Sequence, residues 1–110
     1  MKLQISPKVI DDIAEIKKYI CEEYNNPNAA QRTADKIVDS YEQLEILPYI
    51  GKKLNGIYNI KTDYRFLVCE NYLIFYTVSE KIVSVDRVIH GKRDYCKLLF
   101  CNELDDDDNK

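Results

Sequence analysis

The apolar periodicity of this chain changes once, from helical to alternating, and that change limits the folds open to it. Val9, Ile13, Ile16, Ile20 and Tyr24 recur at steps of four, three, four and four, which stacks them on one face of a helix. Ile10, Ala14 and Cys21 widen that stripe. A second stripe, Ala30, Ala34, Ile37, Tyr41 and Leu44, ends before Pro48. From Tyr64 onward the period is two: Tyr64, Phe66 and Val68 alternate with Arg65, Leu67 and Cys69, the pattern of a strand.

Punctuation residues divide these stretches. "KLQIS" (2–6) alternates and predicts a first strand, and Ser6 followed by Pro7 is a helix cap with proline at the first helical position. Pro27 breaks the helical run, and Asn28 with Gln31 three residues later predicts the cap of the second helix. Two helices of roughly 18–20 residues with a short break form an antiparallel hairpin. The segment 48–62 reads as loop or short strand. Glu70-Asn71 is a tight turn in which Asn tolerates positive φ. "YLIFYTV" (72–78) is apolar on both faces and so central, and "IVSVDRVIH" (82–90) returns as the last strand until Gly91 stops it. Residues 94–100 fit a short closing helix. The expectation is an α+β domain in the order β-α-α-β-β-β: a helical hairpin packed on one face of a mostly antiparallel four-stranded sheet. The domain would span 1–102, with 103–110 an acidic, disordered tail.

A length of 110 residues suits one domain with one core. No apolar run approaches the ~20 residues that cross a bilayer, and "MKLQISPK" lacks the apolar stretch of a signal peptide, so the expected compartment is the cytoplasm. Cys21, Cys69, Cys96 and Cys101 form no C-x-x-C pair, and with one histidine there is no zinc arrangement. No cofactor and no metal is implied. The net charge of −3 hides an asymmetry. Residues 103–110 carry five acids and one base, so the remainder holds 15 bases against 14 acids. Within it, 52–65 and 87–97 each hold four bases and one acid. Brought together, these two segments would attract a polyanion.

Arg65 and Arg87 sit mid-strand, where a rigid backbone suits either phosphate recognition or an ion pair to Asp63, Asp86 or a helix acid. His90 lies at a strand end beside Lys92, Arg93 and Tyr95, cations that would favour its neutral, proton-accepting form. Metal-free RNA cleavage needs cations to stabilise the phosphate and groups to move protons. Lys61, Arg65, His90, Arg93 and Tyr95 have the right types for that set, with His90 and Arg65 expected to lie near one another.

"NPNAAQRTADKIVDSYEQLEILPYIGKKL", "DYRFLVCENYLIFYTV" and "VDRVIHGKRDY", in that order, resemble the RelE/ParE family of bacterial toxins from type II toxin–antitoxin modules. The likeness spans about residues 2–100. It implies the β-α-α-β-β-β fold and a plasmid-stabilisation or addiction role. It also implies growth arrest lifted by a cognate antitoxin, with operator DNA bound only through that antitoxin. Two branches are open. RelE-like members cut messenger RNA on the ribosome, and by position the resemblance would make Lys61, Arg65, His90, Arg93 and Tyr95 the catalytic set. ParE-like members inhibit DNA gyrase without known nuclease chemistry. The long hairpin with its "NPNAAQR" break and the modest charge of the core favour the ParE-like branch. A degenerate toxin that keeps only antitoxin binding is a third reading.

Overall fold

The computed structural model describes residues 1–54 and 62–92. Strand β1 (Lys2–Ile5) leads into helix α1 (Pro7–Tyr24), where the Ser6 hydroxyl accepts the Lys8 N–H at 3.1 Å. Asn25 ends α1 in the left-handed region at φ 49°, and Asn26 caps α2 (Pro27–Glu42) by accepting the Ala29 N–H at 3.0 Å. Both helices thus start with a polar cap followed by proline. This corrects the expected cap at Asn28, which lies inside the first turn. Proline at the first helical position sacrifices no hydrogen bond, so Pro27 opens the helix rather than standing outside it. A 3-10 turn, Gln43–Glu45, continues α2.

Four further strands follow: β2 (Lys52–Lys53), β3 (Arg65–Cys69), β4 (Tyr72–Val78) and β5 (Ile82–His90). The spatial order is β1-β5-β4-β3-β2, with β1 parallel to β5 and every other pairing antiparallel. The sheet therefore has five strands where four were expected. The difference is Lys52–Lys53, which pairs with Phe66 and Arg65 at the outer edge and is too short to show a periodicity. In the β3–β4 turn the positive φ falls on Glu70, at 57°, and not on Asn71 as expected. The turn's place over α2 is marked by an exposed Lys36–Glu70 ion pair of 3.2 Å.

Strand β4 is the centre of the molecule. Ile74 and Tyr76 point to the helices, joining Val83, Val85 and Val88 of β5 and the helical stripe of Val9, Ile16, Ile20, Ala30, Ile37 and Tyr41. Phe75 points to the opposite face, where it meets Leu54, Ile89, Tyr64 and Phe66. This two-sided burial is what its unbroken apolar sequence predicts. Cys69 is buried and Cys21 half-buried, both in the core as small hydrophobes. No described helix is long and apolar enough to cross a membrane. The proposed closing helix and acidic tail lie outside the described residues.

Candidate functional site

Two constructions bear on function, one at each end of β4. The first is built on Arg65. Opposite it in register stands Tyr76, whose buried hydroxyl accepts the Gly51 N–H at 2.8 Å. Arg65 Nη1 donates to the Gly51 carbonyl at 2.9 Å and to the Tyr49 carbonyl at 3.4 Å. Its guanidinium carbon lies 4.9 Å from the centre of the Tyr49 ring, within cation–π range. Burial pushes the Tyr76 hydroxyl up, with partial opposition from the Gly51 N–H and from Arg65. Arg65 thus clasps the loop before β2. It makes no ion pair with Asp63, Asp86 or a helix acid, the partners expected for it. Lys53, Thr62, Asp63 and Tyr64 complete a small cleft of about 210 Å³ beside the clasp.

The second construction lies between α1 and β5. The N–H of Ser6 donates to the Val85 carbonyl at 2.9 Å, after which the chain leaves the sheet to begin α1. From there to His90 no strand among the described residues lies beside the outer edge of β5. Asp12 of α1 fills part of the gap. It accepts Arg87 Nε and Nη2 at 2.9 Å each and the Val88 N–H at 2.9 Å. Of the partners expected for Arg87 it thus takes a helix acid, and its neighbour Asp86 is engaged elsewhere. Asp86 Oδ2 accepts the Tyr64 hydroxyl at 2.7 Å, on the far face of the sheet. Burial first, and that bond second, raise the Tyr64 hydroxyl strongly.

Beyond Asp12 a groove of about 600 Å³ runs between α1 and β5, with Tyr19, Glu22, Tyr72 and His90 among its walls. His90 meets Tyr72 edge-to-face at 5.3 Å, and its Nδ1 accepts the Lys92 N–H at 3.1 Å. Burial raises the Tyr72 hydroxyl, aided by Tyr19 and Tyr24.

Of the five sequence-predicted site residues, Lys61, Arg93 and Tyr95 lie outside the described residues. Arg65 and His90 are not brought together, contrary to expectation. Arg65 faces Tyr76 and His90 faces Tyr72 across opposite flanks of β4, a separation of roughly 15 Å from strand spacing and rise. Sequence reasoning missed Asp12, Tyr49 and Gly51, because each acts through a partner distant along the chain. Among the described residues no three metal-ligating side chains cluster.

The sequence pattern described as "ParE toxin of type II toxin-antitoxin system, parDE" matches residues 3–95. The chain belongs to the ParE toxin family. No curated protein sequence matches it. A solved structure of the chromosomal ParDE toxin–antitoxin system from P. aeruginosa superimposes with a TM-score of 0.69 at 18% identity, covering 82% of this chain and 95% of that one. At that identity the likeness concerns the fold. Within the family frame, the Arg65 clasp and the α1–β5 groove are two places where the described residues present built features to solvent.

Proposed function

We propose that this chain is a growth-arresting toxin that inhibits DNA gyrase and is neutralised by a cognate antitoxin. Membership of the ParE family supports the toxin role. The observation that carries the choice of target is the use made of Arg65. A nuclease would present this guanidinium to a scissile phosphate. Here it holds two backbone carbonyls and covers a tyrosine ring, and the one histidine stands on the other flank of β4. The RelE-like catalytic assignment of Lys61, Arg65, His90, Arg93 and Tyr95 is therefore the weaker reading.

The antitoxin fits the α1–β5 groove best. An incoming segment there finds a strand edge with no described strand beside it and an amphipathic helix opposite, which suits strand addition or an inserted helix. The cytoplasm, where gyrase works, is the compartment this reading requires.

Purified toxin is tested on gyrase supercoiling and, in parallel, on messenger RNA in a translating extract. Loss of supercoiling, restored by antitoxin, is expected. Translation-dependent cleavage with supercoiling untouched overturns the reading in favour of the ribosome.

A further inference from the structure

Nine large apolar side chains are exposed among the described residues, and four of them, Ile46, Leu47, Tyr49 and Ile50, fall within five consecutive positions. Ile46 is 83% exposed, Tyr49 61% and Ile50 43%. A fifth, Met1, lies beside them, since its ammonium donates to the Glu45 carbonyl at 2.9 Å. Single exposed apolar residues need no explanation, but a contiguous cluster does.

The backbone beneath this ledge is tied down at both ends. The N–H groups of Ile46 and Leu47 donate to the Gln43 carbonyl at 3.1 and 2.9 Å, and that of Ile50 to Leu47 at 3.4 Å. Gly51 is held by Tyr76 from within the core and by Arg65 from the side. The apolar groups are thus displayed on a fixed frame, which lowers the entropy lost when a partner covers them. A floppy loop with the same residues would bury them against itself.

We propose that residues 46–53 form the surface by which this toxin grips its target, and that the occupant is a folded protein presenting an apolar pocket with an acidic border. Charge sets the border. Exposed Lys52 and Lys53 follow the ledge directly, Arg65 lies against Tyr49, and the Met1 ammonium stands at the other end, with Glu45 and Asp63 the acids of the same neighbourhood. That is four positive groups against two negative. The ledge itself argues for protein over nucleic acid. Three of its four side chains are aliphatic, with nothing to offer a phosphate, and one face of the fourth, Tyr49, is already covered by Arg65. An aromatic and aliphatic anchor ringed by charge is the composition of an interface centre. This inference rests on the gyrase reading for the partner's name, but not for its chemistry.

The test uses the full chain with Ile46→Glu, Ile50→Glu and the pair Lys52→Glu/Lys53→Glu. Each is assayed for growth arrest on induction, for gyrase supercoiling, for thermal unfolding and for co-purification with antitoxin. The expected result is at least a tenfold loss of growth arrest and of gyrase inhibition, with unfolding and antitoxin binding unchanged. Folded variants that arrest growth like the wild type overturn the proposal. Variants that lose antitoxin binding overturn it too, assigning the ledge to the antitoxin. If the wild type arrests growth but leaves supercoiling untouched, the gyrase reading fails alone, and the ledge stands or falls on growth arrest by the variants. A wild type that does not arrest growth overturns both.

Discussion

Asp12 and Arg87, 75 residues apart in the chain, join the first helix to the last described strand through two parallel hydrogen bonds of 2.9 Å. The same carboxylate takes the Val88 N–H, so one side chain satisfies a guanidinium and a strand edge together. Both partners are largely shielded, with the Asp12 side chain 11% and the Arg87 side chain 21% exposed. In such a setting the geometry decides whether the pair stabilises.

Asp12→Ala should therefore destabilise the fold by about 3 kcal/mol, because it strands both a shielded cation and a backbone donor. Asp12→Asn keeps an acceptor for Val88 and should cost less. Adding Arg87→Met to Asp12→Ala should recover part of the loss. Urea denaturation of the four proteins reads this directly, and equal stabilities would show the pair to be idle.

Gly51 is required for space. A Cβ there would lie 2.5 Å from the Tyr76 hydroxyl oxygen and 2.7 Å from the Phe66 carbonyl oxygen. The first neighbour ends a core side chain and the second is backbone in a strand, so neither yields cheaply. Gly51→Ala should cost about 1–3 kcal/mol. Tyr76→Phe should cost a similar amount by leaving the Gly51 N–H buried without an acceptor. Thermal unfolding checks both, and an unchanged midpoint in either removes the clasp from the account of stability.

The helix caps give a discriminating pair. Asn26→Ala removes the acceptor for the Ala29 N–H and should cost about 1 kcal/mol, whereas Asn28→Ala should be neutral or mildly stabilising. The reverse order would restore the cap expected at Asn28.

Alkaline stability follows from the tyrosines. Tyr41, Tyr64, Tyr72 and Tyr76 all hold their protons more tightly than the usual value of 10.0, with burial the first cause in each. Below that value folded and unfolded chains are both protonated and stability is full. Above it the unfolded chain sheds protons that the folded chain keeps, so stability falls as pH rises, by up to about 1.4 kcal/mol per pH unit for each such group. Denaturation midpoints measured from pH 8 upward should drop past about pH 10, in the ordinary tyrosine range. Tyr41→Phe and Tyr72→Phe should each make the drop shallower, and a flat profile would contradict the tyrosine assignment.

What the sequence made legible was whatever it repeats. The two apolar stripes, the alternating segments and the Ser6-Pro7 cap each recur at a fixed step or a fixed offset, and each appears in the structure. Asn26 is hard to read for a local reason: Pro27 looks like the break before a helix, when it is the helix's first residue. Lys52–Lys53 was missed as a strand because two residues have no period. The side-chain partners were illegible for a different reason. Nothing in the residues around Arg87 singles out Asp12 among the acids of the helices; the packing of α1 on β5 brings the two together. Arg65 likewise looked like a phosphate ligand because its backbone partners, the carbonyls of Tyr49 and Gly51, carry no residue identity at all.

The pairing of β1 with β5 joins residues 2–5 to residues 82–85. During synthesis β5 emerges only after both helices and the three intervening strands have followed β1. The helical hairpin can form early from local contacts, but its apolar face then has no completed sheet to lie on. A prematurely terminated chain ending before Ile82 lacks the strand that joins β1 to β4 and the Arg87 that Asp12 holds. Truncated translation products of this toxin should thus be unfolded and harmless, and the chain becomes competent to act only once β5 is delivered.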